Sequence, residues 1–266
     1  MPFMPVSLNN CMEAACRAAQ EAGALLARHA DKSKTVSIKR NAIDLVTEID
    51  KASEKLIRRI LNRAAPGFGF LGEESAPEKS SSPYRWIVDP IDGTNNFVHG
   101  LPLFGVSIGL EHNGEMTVGV IYDPMRRELF SALRGHGAHL NGRRIRVSPT
   151  RELSKSLLAT GFSFNFRKHP QPYLGSFQDF QCRSHGVRRI GSTVFCLASV
   201  AAGRVEGFYE RDLWPWDVAA GMLLVEEAGG KVSNLEGKPA TLTGGRLLAT
   251  NGHIHPQMLR VLKKRR

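Results

Sequence analysis

The sequence predicts a mixed α/β fold built from packed layers of helices and sheets. Three observations support this prediction. Two segments near the start repeat apolar residues at helical spacing. Alternating apolar runs follow, separated by Asn-Gly pairs that favour antiparallel hairpins. Beyond about residue 150, short apolar runs alternate with helical patterns. We expect one domain, 1–266, with approximate halves 1–150 and 151–266, because 266 residues with 42% hydrophobic content can bury a sizeable core.

The first half holds two predicted helices followed by antiparallel strands. The alanine-rich segment 8–30 is the first helix, and the second covers 48–64, where Ile49, Leu56 and Ile60 recur at helical spacing and Pro66 follows the end. A short apolar run predicts a buried strand over 85–89. The Asn113–Gly114 pair lies between two alternating runs and therefore predicts a hairpin. The predicted strands of this hairpin are 104–111 and 116–123, and a further hairpin is predicted within 129–147.

The second half alternates between helices and strands. Ser192 is a suitable N-cap for a helix over 192–202, and Gly229 follows the end of a predicted helix over 216–228. The predicted strands are 204–209, 231–233 and 246–250, and a last helix begins near His255. The stretch 76–83 is rich in proline and serine, which predicts an exposed loop.

Composition excludes several functional classes. No apolar run approaches the roughly 20 residues that a membrane-spanning helix needs, and residues 1–10 do not resemble a secretory signal. The four cysteines include no C-x-x-C pair, so we expect buried, reduced thiols and a cytoplasmic location. The net charge of +11 suits an anionic partner such as a phosphate ester or nucleic acid. However, the charge is scattered, the basic tail 263–266 reads as a solvated end, and no basic stretch is interleaved with aromatic residues, so nucleic acid is not the favoured partner.

The segment 86–97 carries the clearest chemical signal. An apolar strand ends in Asp89, Pro90 then stops the strand ladder, and Asp92 follows. Two close carboxylates repel each other unless a cation lies between them, and oxygen ligands select hard cations such as Mg²⁺ over Zn²⁺. The backbone N–H groups of Gly93 and Thr94, where a short helix can begin, suit a phosphate. Asp-Pro and Asp-Gly are also ordinary turn pairs, so this segment alone leaves a plain turn as an equal alternative.

Three further acidic positions strengthen the interpretation. Glu73 follows a predicted strand, and Asp50 and Asp217 lie in the first turns of predicted helices. Each alone is explained by a loop or by the helix dipole. Acidic residues in four separate and otherwise apolar segments favour a common metal site.

The order and the residues of these segments resemble those of the inositol monophosphatase family over nearly the whole chain. The matching segments are Lys39 with Asp44–Asp50, Gly72–Ser75, Trp86–Phe97, Thr160–Phe162, Arg189–Thr193, Trp216–Gly221 and Glu227–Gly230. The resemblance implies a layered αβαβα sandwich of the inositol monophosphatase and fructose-1,6-bisphosphatase type. It also implies a homodimer, inhibition by Li⁺, and hydrolysis of a small phosphorylated polyol, first of all inositol monophosphate.

The resemblance further implies roles for individual residues. Two or three Mg²⁺ ions would be held by Glu73, Asp89, the carbonyl of Ile91, Asp92 and Asp217. Thr94 and Glu73 would orient and deprotonate the attacking water, and Asp50 would hold Thr94. The substrate would be bound by Gly93, Thr94, Gly191, Ser192, Thr193, Glu210 and Asp217.

Two departures from the family pattern bear on the substrate. Trp214, Pro215 and Thr193 lie beside the expected polyol pocket and differ from common family residues, so the leaving-group specificity stays open. Within the fold, histidinol phosphate, fructose 1,6-bisphosphate and phosphoadenosine phosphate are alternative substrates, although Asn95 stands where the phosphoadenosine branch typically has lysine.

A regulatory protein that binds RNA or polymerase is an alternative of another class. A catalytically dead scaffold ranks last, since every expected metal ligand is present.

Overall fold

The computed structural model describes residues 7–32, 36–38, 45–76 and 80–263. Lys39 and Asp44 of the family pattern, residues 1–6, positions 77–79 of the predicted loop and 264–266 of the basic tail lie outside these ranges. The helices are α1 (Leu8–His29), α2 (Glu48–Ala64), α3 (Thr94–Val98), α4 (Gln171–Gln181), α5 (Thr193–Ala201), α6 (Pro215–Glu227) and α7 (His255–Lys263). The strands are β1 (Val36–Ile38), β2 (Leu45–Thr47), β3 (Gly69–Gly72), β4 (Tyr84–Asp92), β5 (Gly105–His112), β6 (Glu115–Asp123), β7 (Glu128–Leu133), β8 (Gly137–Leu140), β9 (Arg143–Arg144), β10 (Leu157–Thr160), β11 (Gly186–Arg189), β12 (Gly207–Arg211), β13 (Lys231–Ser233) and β14 (Arg246–Thr250).

Two large sheets organise the chain. Strands β3 to β9 form a seven-stranded sheet in chain order, in which β3 and β4 are parallel and the following neighbours are antiparallel. The other sheet has the order β11-β10-β12-β14-β13, with β10 parallel to both of its neighbours. Asn113 and Gly114 both have positive φ, as a two-residue hairpin turn requires, and they join β5 to β6 as predicted.

Helices cover both sheets and separate them. α1 and α2 pack on one face of the seven-stranded sheet, α5 and α6 lie between the two sheets, and α4 and α7 contact the outer side of the five-stranded sheet. The middle helices are apolar nearly all round because both of their sides are covered. This arrangement is the predicted αβαβα sandwich, and it confirms the expected fold class.

The predicted end of the strand before Pro90 is wrong. β4 runs through Pro90 to Asp92, and its register against β5 shifts between Asp89 and Asp92. This bulge accommodates a residue that has no N–H to give to the ladder. As a result, both carboxylates belong to one continuous strand.

The predicted start of the strand at Arg204 is also wrong, since β12 begins at Gly207. The backbone N–H groups of Arg204 and Val205 donate to the carbonyl of Ser199 at the end of α5, so they are not available to a sheet. The strand also continues to Arg211, beyond the predicted end at 209, so Glu210 lies inside it.

The four cysteines differ in their exposure to solvent. All four cysteines lie in the described part of the chain and are free, but Cys182 at the end of α4 is exposed and Cys16 is only partly buried, which corrects the expectation that all would be buried. Among the described residues, no helix has the length and apolar character that crossing a membrane requires.

Candidate active site

Four acidic residues reach one cleft from the ends of three elements, and we call Glu73, Asp89, Asp92 and Asp217 the acidic floor. Glu73 comes directly after β3, and Asp89 and Asp92 lie at the end of the parallel neighbour β4. The Glu73 N–H donates to the carbonyl of Val88 at 3.2 Å, which holds the two strand ends together. Asp217 lies in the first turn of α6.

Three of these carboxylates converge tightly. Asp89, Asp92 and Asp217 each offer an oxygen, and these oxygens all lie within 4.8 Å of one another. Asp89 is only 2% exposed, and its Oδ1 accepts from the Ile91 N–H at 3.0 Å. Asp217 Oδ2 accepts from the Trp214 N–H at 2.7 Å. Glu73 lines the same cleft but stands outside this closest group.

The acidic floor is electrostatically unfavourable without a cation. Burial raises the pKa of Asp92 to about 7, and the charge of Glu73 adds to this, although hydrogen bonds from Ser192 and Val194 act in the opposite direction. Burial, together with the nearby charge of Asp92, raises the pKa of Asp217 well above its usual value. A buried, all-oxygen donor set of this kind fits a hard divalent cation, which would favour the ionised carboxylates.

Thr94 stands beside the acidic floor at the start of α3. Its Oγ1 is 3.2 Å from Asp50 Oδ1 and 2.9 Å from the Ile91 carbonyl, either of which can accept its proton. Asp50 is fully buried, and its Oδ2 accepts from both the N–H and the hydroxyl of Thr47, at 2.8 and 2.6 Å. The preceding Gly93 has φ +88°, and a Cβ there would come within 2.8 Å of the Leu103 carbonyl, so the turn into α3 requires glycine.

The segment before α5 connects the acidic floor to the other side of the cleft. Ser192 caps α5, as predicted, and its hydroxyl donates to Asp92 Oδ2, which also accepts from the Val194 N–H at 3.0 Å. The Thr193 hydroxyl donates to Glu210 Oε2 at 3.1 Å. Burial raises the pKa of Glu210 to about 8, and the charge of Asp92 contributes to this rise.

The cleft also contains residues to which the sequence argument assigned no role. Asp212, in the loop after β12, has φ +59°, and its Oδ2 accepts from the hydroxyls of Ser163, at 2.8 Å, and Tyr173. Trp214 follows in the same loop, is 45% exposed, and stacks on Trp216 with ring centroids 5.4 Å apart. We call Ser163, Thr193, Glu210, Asp212 and Trp214 the distal rim. Of these, Ser163 and Asp212 have no motif that would reveal them, since their position depends on how two loops meet.

The structure brings all the predicted site residues except Asp50 to the cleft wall, while Asp50 lies behind Thr94. The residues that line the cleft are Glu73, Asp89, Ile91, Asp92, Gly93, Thr94, Asn95, Thr160, Gly161, Phe162, Ser163, Arg189, Gly191, Ser192, Thr193, Cys196, Glu210, Asp212, Leu213, Trp214, Trp216 and Asp217.

Known proteins resemble this chain over nearly its whole length. An inositol-1-monophosphatase of Mesorhizobium japonicum is 42% identical over 250 residues, which cover 93% of this chain and 94% of that protein. A protein of Pseudomonas aeruginosa named Nus factor SuhB is 42% identical over 255 residues, covering 94% of each. The solved structure of inositol monophosphatase from Anabaena (Nostoc) superimposes with a TM-score of 0.89 at 44% identity and covers 97% of both chains. A profile of the Inositol monophosphatase family matches residues 7–266, and the chain therefore belongs to that family.

Proposed function

We propose that this protein is a Mg²⁺-dependent phosphatase that hydrolyses a small polyol phosphate monoester, with inositol monophosphate as the first candidate. The observation that carries the proposal is the convergence of Asp89, Asp92 and Asp217 within 4.8 Å, in a cleft that Glu73 and Thr94 also line. Family membership supports phosphatase activity, and the M. japonicum relative named inositol-1-monophosphatase supports the choice of substrate.

The acidic floor and the Ile91 carbonyl would hold two Mg²⁺ ions, and Glu73 would hold a third. Members of this family are generally metal-dependent, and the oxygen-only donor set supports Mg²⁺ over Zn²⁺. When bound, Mg²⁺ supplies positive charge to the phosphoryl oxygens and lowers the pKa of coordinated water.

Thr94, Asp50 and Glu73 would prepare the attacking water. A Thr94 hydroxyl that donates to Asp50 Oδ1 presents its lone pairs to a water molecule. Thr47 anchors Asp50, so this acceptor for the Thr94 hydroxyl is in place before substrate arrives. Glu73 would accept the second proton of this water and remove it as the new bond to phosphorus forms.

The phosphate and the leaving group would bind on opposite sides of the acidic floor. Backbone N–H groups of Gly93 and Thr94 would donate to phosphate oxygens, which gain charge in the transition state. The leaving alcohol would lie against Glu210, Asp217 and the Gly191–Thr193 segment, whose carboxylate and hydroxyl groups can exchange hydrogen bonds with a polyol.

A substrate panel at fixed Mg²⁺ tests this proposal. Phosphate release is measured from inositol 1-phosphate, histidinol phosphate, fructose 1,6-bisphosphate and phosphoadenosine phosphate, with Asp92→Asn as the inactive reference. We expect the highest kcat/KM for inositol 1-phosphate. A clear preference for any of the other three would overturn the substrate assignment. Absence of Mg²⁺-dependent release from all four would overturn the reaction class.

A role in RNA or polymerase binding is a second candidate function. The P. aeruginosa relative is named Nus factor SuhB, and the net charge of +11 favours a polyanionic partner. Binding of RNA that weakens with salt and survives in Asp92→Asn would support this role beside catalysis. Lack of RNA binding by the wild-type protein would remove it.

Three further features belong to the same proposal. We propose that the single domain, 1–266, acts as one catalytic unit, because residues of both predicted halves line the cleft. We also propose a homodimer, to be tested by sedimentation velocity, and inhibition by Li⁺, both by resemblance to the family. The four free cysteines support a cytoplasmic location.

A further inference from the structure

Helix α2 presents three buried polar side chains on one face. Asp50, Ser53 and Glu54 are separated by three and four positions, so they share the side of the helix that faces the cleft segments. Ser53 is fully buried and Glu54 is only 4% exposed. Burying a hydroxyl or a carboxylate costs free energy unless it is well bonded, so the partners of these two side chains indicate what they do.

Glu54 holds the segment that carries Glu73. Its Oε2 accepts from the backbone N–H of Glu74 at 2.8 Å. The same carboxylate lies directly on the backbone of Gly72, where a Cβ would come 2.2 Å from Oε2 and 2.6 Å from Cδ. A side chain at position 72 would therefore collide with the Glu54 carboxylate in its present position. The carboxylate contacts residues on both sides of Glu73.

Ser53 holds the bulge that separates the two aspartates of β4. Its hydroxyl donates to the Pro90 carbonyl at 3.1 Å. Pro90 lies in the register shift between Asp89 and Asp92, where the regular ladder cannot fix the backbone. A hydrogen bond from outside the sheet therefore sets the backbone position at this bulge.

We infer that Ser53 and Glu54 are positioning residues, which make α2 a template for the spacing of the Glu73 segment relative to the Asp89–Asp92 segment. Neither side chain lines the cleft, so they act through the backbone and do not contact substrate. Carboxylates that repel each other would separate if their segments were free to move. One helix bonded to both segments keeps the ligand spacing before the cation binds. Supporting groups of this kind typically change metal affinity by about 10- to 100-fold.

This inference rests on the proposed metal-dependent function, and its test measures Mg²⁺ binding directly. Isothermal titration calorimetry with Mg²⁺ alone is performed on the wild-type protein, Glu54→Ala, Glu54→Gln and Ser53→Ala, and the Tm of each is recorded without metal. Glu206→Ala is the matched control. Glu206 is also a buried carboxylate that accepts from a backbone N–H, that of Leu157 at 2.7 Å, but it lies outside the cleft.

We expect Glu54→Ala to weaken Mg²⁺ binding about tenfold or more. Glu206→Ala should lower the Tm comparably and leave the Mg²⁺ affinity within about twofold, since it removes a similar bond elsewhere. Glu54→Gln keeps an acceptor for the Glu74 N–H and should fall between the wild type and Glu54→Ala. Ser53→Ala should weaken binding less than Glu54→Ala, and it carries the test together with Glu54→Gln if Glu54→Ala does not fold.

Two different failures are distinguishable. If the wild-type protein binds Mg²⁺ but the Glu54 and Ser53 variants match Glu206→Ala, then the positioning role is wrong and the proposed function stands. If the wild-type protein binds no Mg²⁺, the proposed function fails and the positioning inference fails with it.

Discussion

The acidic floor and the distal rim of the same cleft are built in different ways. Each floor residue lies at the end of a strand or in the first turn of a helix, and backbone groups next to it are tied to neighbouring elements, as for Glu73 and Val88. The rim depends more on loops, those between β10 and α4 and between β12 and α6, which meet through the bond from Ser163 to Asp212. The hydroxyl of Tyr173 in α4 donates to the same carboxylate. Regular elements fix positions more rigidly than loops. We therefore expect the floor to set the reaction and the rim to set the choice of leaving group.

The largest effect should come from the floor. Asp92→Asn removes one charge from the proposed cation site but keeps an oxygen that can accept from Ser192 and Val194. Loss of a group that stabilises the transition-state charge typically costs 10²–10³, and we expect about 10³-fold lower kcat/KM for every phosphate ester tested. Steady-state kinetics with saturating Mg²⁺ measure it, with Glu206→Gln as the control. A variant that kept a tenth of the activity would contradict the assigned role of the floor.

Removing the hydroxyl of Thr94, beside the floor, and that of Thr193, on the rim, should change different kinetic constants. Thr94→Val keeps the shape and removes the hydroxyl that faces Asp50, so we expect about 10²-fold lower kcat for all substrates. Thr193→Val removes the bond to Glu210 on the rim, so its effect should fall mainly on KM and vary with the leaving group. Kinetics on a polyol phosphate and on an aryl phosphate separate the two patterns. Equal, substrate-independent losses in both variants would remove the distinction between floor and rim.

The pH dependence of stability should show the charge carried by the floor. In metal-free protein the pKa of Asp92 is raised to about 7 from 3.8, so its stabilising contribution is complete below about 4 and is lost as the pH rises through about 7. Asp92→Asn removes this loss. Relative to the wild type, the variant should therefore gain stability steadily between pH 4 and pH 8.

Thermal unfolding of both proteins in a chelator measures this difference, and Mg²⁺ should reverse it in favour of the wild type by binding the folded state. A difference in Tm between the two proteins that stays constant across this pH range would show that ionisation of Asp92 does not destabilise the folded protein.

The smallest effect should come from the exposed end of the rim. Trp214 lines the cleft, is 45% exposed, and stacks on the ring of Trp216. We expect Trp214→Ala to raise KM a few-fold for a ring-shaped polyol phosphate and to leave glycerol phosphate nearly unchanged, because the ring carries a broader face of C–H groups that can pack on the indole. Trp214→Phe should restore most of the affinity. Identical changes for the cyclic and the open-chain ester would count against a stacking role.

The same contrast explains how much of the molecule could be predicted from its sequence. The fold class could be predicted because helices and strands leave local apolar patterns. The four floor residues could be predicted because each follows an apolar run, ends one, or lies in the first turn of a helix. α4 was not predicted, because Pro172 and Gly175 interrupt its pattern and its apolar periodicity is weak.

Tertiary contacts account for the other differences. The bulge at Pro90 and the late start of β12 depend on partners that are distant in sequence or on the end of α5. Glu54 precedes Arg58 by one turn, a spacing typical of an exposed helix pair, yet it is buried against Gly72. Asp212 contacts Ser163 across 49 positions, and no local signal marks either residue.

The central claim is that the acidic floor binds divalent cations. A crystal grown with Mn²⁺, which takes the same oxygen ligands as Mg²⁺ and can be located by anomalous scattering, tests it most directly. We predict an anomalous peak between the carboxylates of Asp89, Asp92 and Asp217 and a second peak beside Glu73. A well-ordered cleft with no peak at these carboxylates, or with Mn²⁺ bound only elsewhere, would contradict the claim.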